Sequence, residues 1–166
     1  MRRYSLLMAI AFASCCGLAF AQAQPPSSDG TKKKGFVGHI SDLTEKNSDY
    51  RRVLYTGKNM QLVLMSLRPG EEIGEETHDD IDQFFRIEEG SGEVVINGQT
   101  SNVKSDYAIL IPAGARHNIK NTGTTPLRLY TIYAPPEHKD KTIHATKQDA
   151  KAKEAHFDGQ TSESSD

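Results

Sequence analysis

The sequence predicts an all-β domain, a sandwich or barrel of about ten short strands, and three features carry that prediction. Between Phe36 and Tyr133, short β-prone runs are separated every few residues by Gly, Pro or Asn turns. Asn97-Gly98 lies between two such runs. Asn-Gly in that setting is the strongest short hairpin signal, because both turn positions need positive φ. No long amphipathic stretch of helical period interrupts the runs, which argues against a parallel βαβ sheet.

The elements follow in order. Residues 36–40 read as a short strand and 41–45 as a single capped helical turn. Strands at 50–56 and 60–67 are joined across Gly57-Lys58-Asn59, and Arg68-Pro69-Gly70 is a turn. Residues 73–78 read as a strand, 79–82 as a polar bend, and 83–88 as a strand ended by Gly90. Strands at 93–96 and 100–103 flank Asn97-Gly98, and 108–111 follows. Pro112-Ala113-Gly114 turns the chain into 116–120, and 127–133 is the last strand, stopped by Pro135-Pro136. Beyond it the composition turns polar, with a short helix expected within 146–156 and disorder over 157–166.

A length of 166 residues suits one domain with tails. The domain is placed at 36–136, after a Pro- and Lys-containing linker at 24–35 and before a polar C-terminal tail at 137–166. Residues 1–23 read as a signal peptide: Arg2 and Arg3, then a mostly apolar run from Ser5 to Phe20, then Ala19-Phe20-Ala21 or Ala21-Gln22-Ala23 as cleavage site. The apolar run is shorter than the ~20 residues of a membrane span. A periplasmic or secreted protein is therefore expected, with a lipoprotein anchored at Cys15 or Cys16 as the less favoured alternative. Both cysteines fall in the removed segment, which excludes thiol catalysis and disulfides. The formal net charge of −2 gives no basic surplus, and no nucleic-acid partner is expected.

Two blocks carry the chemistry. On a strand, residues two apart share a face, so Glu76 and His78 project together. Gln83 shares a face with Phe85 and Ile87, the apolar and therefore inner side. His117 sits five residues after Pro112, on a strand that starts at the Pro112-Ala113-Gly114 bend. A barrel that brings these strands together gathers one carboxylate, two imidazoles and one amide. His39 reads as an edge-strand residue, and His138, His144 and His156 as solvent-exposed tail residues. Phe84, on the outward face, wants cover, and a homodimer is expected.

These blocks resemble the two motifs of the cupin family. The first family motif runs Gly, five residues, His-x-His, three or four residues, Glu, six residues, Gly; Gly70 and Gly90 match its ends and His78 its second His. The second runs Gly, five residues, Pro-x-Gly, two residues, His, three residues, Asn; Pro112, Gly114, His117 and Asn121 match, with Asp106 in place of the opening Gly. The resemblance covers roughly 60–133. It implies a cupin double-stranded β-helix, or jelly-roll barrel, with flexible N- and C-terminal tails and one metal site. The sequence departs from the pattern twice, with Glu76 where the first His is usual and Gln83 where the Glu is usual.

The implied ligand set is Glu76, His78, Gln83 and His117, two nitrogens and two oxygens. It suits a divalent Mn, Fe or Co ion, with Zn or Ni as alternatives. Gln83 either coordinates or hydrogen-bonds a metal-bound water, and a buried polar network without metal is the competing reading. The expected function is an enzyme acting on a small oxygen-bearing molecule, dioxygenase- or sugar isomerase-like, with Glu76 as catalytic base. The alternative is a small-ligand binding or sensing barrel without turnover.

Overall fold

The computed structural model describes residues 34–164. The expected signal peptide, both cysteines and residues 24–33 of the expected linker lie outside them. The strands are β1 (Arg51–Thr56), β2 (Gln61–Leu67), β3 (Asp82–Glu89), β4 (Ser91–Ile96), β5 (Gln99–Lys104), β6 (Ala108–Ile111), β7 (His117–Asn121), β8 (Leu127–Ala134) and β9 (Ile143–His144). They form a six-stranded sheet, β6-β3-β8-β2-β1-β9, and a three-stranded sheet, β5-β4-β7, with every pairing antiparallel. Short helices α1 (Ile40–Glu45) and α2 (Lys147–Ala152) complete the described residues. The all-β jelly-roll architecture is the one the sequence predicts.

Alternation sets which side chains fill the barrel, since residues two apart share a face. The odd-numbered residues of β2, β3, β6, β7 and β8 point inward. Register then stacks them in rungs across the larger sheet. Gln61, Tyr133, Gln83 and Ile111 make one rung, and Val63, Thr131, Phe85 and Ile109 the next. Met65, Leu129 and Ile87 follow, with Leu67 and Leu127 deepest. All of these side chains are buried. The interior thus grades from a polar rung at one end to an apolar plug at the other. Each buried large apolar side chain contributes about 1.5–3 kcal/mol.

The hairpin at Asn97-Gly98 is as expected, with both residues at positive φ, 48° and 83°. Three elements differ from expectation. Residues 36–39 are not a strand; His39 instead caps α1, its Nδ1 accepting from the Asp42 N–H. Helix-starting chemistry, an acceptor three residues ahead of an acidic first turn, prevails over a short β-prone run.

Residues 73–78 form no continuous strand. Glu72 bridges Lys120 and Glu76 bridges His117, so four steps on one side answer three on β7. The extra residue is a bulge around Gly74, whose φ of +102° suits glycine. It reverses facing: Ile73 is buried, Glu75 is exposed, and Glu76 and His78 turn inward.

Residues 137–164, read as a polar tail, lie against the barrel. β9 pairs with β1, and α2 carries a capping box in which Thr146 and Asp149 bond each other's backbone. Ser162 N–H donates to the Thr56 carbonyl, and Glu163 accepts from the Lys34 and Gly35 N–H groups. The disorder expected over 157–166 does not hold for 157–164. No helix among the described residues is long and apolar enough to cross a membrane.

Candidate metal centre

Four sequence-selected residues converge at the polar end of the barrel. His117 enters on β7 and Gln83 on β3, from opposite sheets. Glu76 is fixed by its backbone pairing to His117. His78 is tied by the Gly114 N–H, which donates to its carbonyl at 2.7 Å in the turn that leads into β7. Ligand atoms of Glu76, His78 and His117 all lie within 4.8 Å of one another. Gln83 Oε1 stands 3.1 Å from His117 Nε2. The imidazoles of His78 and His117 are tilted with centroids 5.8 Å apart, and Tyr133 and Phe85 wall them edge-on.

The donor set fits a divalent ion, on two observations. His78 Nε2 is buried with no hydrogen-bond partner, and its nearest acceptor, Glu76 Oε2, is 3.5 Å away. A buried imidazole nitrogen without a partner is costly unless something coordinates it. Second, His117 Nδ1 donates to the Ala115 carbonyl at 2.9 Å, so Nε2 is the ring nitrogen turned toward Gln83 and the other two donors, the orientation a coordinating imidazole needs. The Gln83 amide is oriented by its Nε2, which donates to Thr131 Oγ1 at 3.2 Å. Imidazole and oxygen donors suit Mn, Fe or Co as well as Zn.

Glu76 and His78 are also coupled electrostatically, so a proton and a cation compete for the same nitrogen. The Glu76 carboxylate holds the His78 imidazole above the usual histidine range, against the opposing effect of burial. On its far side, His78 Nδ1 is 3.9 Å from Glu137, an ion-pair distance rather than a hydrogen bond. Glu137 also meets His156 Nδ1 at 3.0 Å.

Two tail histidines are not exposed, contrary to expectation. His138 and His144 are buried, and His156 alone of the three keeps an exposed side chain. Gln61 holds His138 in place: its Nε2 donates to the His138 carbonyl at 2.6 Å and its Oε1 accepts the His138 N–H at 2.9 Å. Burial, then nearby Arg51, pushes the His138 imidazole down to about 2. The same two causes lower His144. Sequence reasoning missed Glu137, His138, Gln61 and Arg51. Gln61 and Arg51 had a signal, since each alternates with inward valines, at Val63 and Val53. Glu137 and His138 had none, because chain reversal after β8 brings them back.

A family model described as a cupin domain matches residues 63–133. The uncharacterized protein YrkC of Bacillus subtilis (strain 168) is 50% identical over 127 residues, 73% of this chain and 68% of YrkC. The polyketide synthase CurC of Streptomyces cyaneus is 33% identical over 114 residues, 65% of this chain and 73% of CurC. The crystal structure of BH2720 from Bacillus halodurans superimposes with a TM-score of 0.71 at 48% identity, covering 75% of this chain and 98% of that one.

Proposed function

We propose that this chain, which belongs to the cupin superfamily, is an exported, metal-dependent enzyme acting on a small oxygen-bearing molecule. One observation carries the reading: Glu76, His78 and His117 bring ligand atoms within 4.8 Å of one another, and His78 Nε2 is buried with no other partner. A divalent ion held there supplies Lewis-acid polarisation of a bound oxygen.

The chain's own residues do the rest. Glu76 alone of the triad lines a cavity of about 400 Å³, and a carboxylate there can take a proton from a bound molecule. The Ala115 carbonyl fixes the His117 ring, and Thr131 fixes the Gln83 amide. Tyr133 and Phe85 exclude water from the inner side. The reaction class is dioxygenase- or isomerase-like. The name of CurC supports an oxygen-bearing organic substrate, because polyketides are of that class.

Export rests on Arg2, Arg3 and the apolar run that follows. A homodimer is supported by the outer face of β3, β6 and β8, where Phe84, Leu110, Pro112 and Ile132 surround a depression and Leu110 is 72% exposed on an edge strand.

Metal analysis of the purified protein, beside His78→Ala and His117→Ala, tests the centre. Bound divalent metal in the wild type and loss of it in both variants is expected. Unchanged metal content in the two variants overturns the reading.

A further inference from the structure

Arg51 is the charged interior side chain that the metal centre does not use. It sits on β1 facing inward with Val53 and is only 5% exposed. Its guanidinium has no ion pair and no hydrogen bond among the described residues; Nε is buried without a partner, and the Tyr50 ring lies 5.8 Å from the guanidinium carbon. A guanidinium is charged at every accessible pH. Holding it unpaired in a site this buried is costly, so the position suits an anion.

The surroundings repeat that signal. His144, opposite Arg51 in the β1–β9 register, has a buried Nδ1 with no partner, and His138 has a buried Nε2 with none. Arg51 and Glu76 line the same cavity of about 400 Å³, bordered by Tyr50 and Ile73 and covered by Lys147 and Ala150 of α2. A space of that size takes a small molecule. Lys147 already meets Glu72 at 3.8 Å, which leaves Arg51 as the buried cation without an anion.

We propose that Arg51 binds the carboxylate of a small 2-hydroxy or 2-oxo acid whose adjacent oxygen faces the Glu76–His78–His117 triad. The inference rests on the metal-centre reading and names its substrate class. The two Nη groups have no internal partner and, unlike Nε, are not sealed from the cavity that Arg51 lines, so they present the fork that matches a carboxylate bidentately. The charges agree: Arg51, Lys147 and Lys151 line the cavity against Glu72, Glu75, Glu76 and Glu154, a net of −1 that a divalent ion turns to +1. An anionic ligand neutralises it and an uncharged diol does not.

The test titrates the Mn(II)-loaded protein calorimetrically with lactate and with propane-1,2-diol, in the wild type and in Arg51→Met and Arg51→Lys. Lactate affinity is expected to fall about 10- to 100-fold in Arg51→Met, the loss of a charge-assisted pair, and by less in Arg51→Lys. Diol affinity and Mn(II) content stay the same. Metal-free Arg51→Met is expected to melt at a higher temperature than the wild type, since a buried unpaired charge is gone; a purely structural arginine gives the opposite. Equal lactate affinity in wild type and Arg51→Met overturns the inference, as does a lower melting temperature with lactate affinity unchanged. If Arg51→Met does not fold, Arg51→Lys decides by the same comparison.

Absence of Mn(II) binding in the wild type counts against the metal centre instead. Lactate is then added to metal-free protein against equal chloride: an Arg51-dependent rise in melting temperature keeps the anion site, and no rise removes it.

Discussion

Glu76 and His117 exchange both of their backbone hydrogen bonds, each 2.9 Å long. In an antiparallel pair that exchange puts the two side chains on the same face, about 5.5 Å apart at Cα. A carboxylate and an imidazole are thereby held together by main chain, before any metal arrives. The centre is accordingly preorganised, and its ligand charge is adjustable at two positions.

Glu76→Gln removes the carboxylate of the triad, and Gln83→Glu adds one where the amide stands. The two changes are expected to move divalent-ion affinity in opposite directions, each by at least about tenfold. Competition for Mn(II) against a chelator of known affinity measures both. Affinity that stays level in Glu76→Gln removes Glu76 from the ligand set.

The bulge at Gly74 is the reason Glu76 and His78 face inward. A Cβ there meets nothing closer than Lys147 Nζ at 3.8 Å, so Gly74→Ala causes no clash. It does place alanine at a φ of +102°, at a cost of about 1–3 kcal/mol. Urea denaturation should show that loss, and metal affinity should fall with it as the bulge relaxes. A stable variant with full metal affinity contradicts the role assigned to the bulge.

His138 makes stability depend on pH. Its folded-state value is about 2, while the unfolded chain titrates near the ordinary 6.5. Between those limits the unfolded chain binds a proton that the native protein refuses. Stability is therefore complete above about pH 6.5 and is lost as pH falls below it, with a slope of at most about 1.4 kcal/mol per pH unit. Denaturation of the metal-free protein from pH 7.5 to 5, beside His138→Leu, isolates the effect. The variant should show the shallower dependence, and identical slopes refute the assignment.

Leu110 stands on the edge strand of the larger sheet beside Phe84 and Ile132. Leu110→Glu is expected to convert a dimer into a monomer in light scattering, with metal content unchanged. A wild type that is monomeric at micromolar concentration removes the dimer.

Much of this was legible in the chain. Asn97-Gly98 between two β-prone runs marks a hairpin, because its two turn positions need the adjacent positive φ values these residues adopt. The alternation Gln83-Phe84-Phe85-Arg86-Ile87 names its inner face through the apolar members, and that face is as read. The strand expected at 73–78 failed for a local reason: period-two reading carries no information on an inserted residue, and Gly74 absorbs one. His39 was misplaced because a cap and a strand end look alike over five residues.

The sequence by itself determined the β-architecture, its turns and four residues of the centre, because strand period and turn chemistry act over a few neighbouring residues. Only the tertiary structure decided the surroundings of that centre. Burial of Arg51, His138 and His144 depends on where the chain returns after β8 and how β9 pairs with β1. Burial is a property of distant chain segments meeting, and a polar composition after Pro136 does not reveal it.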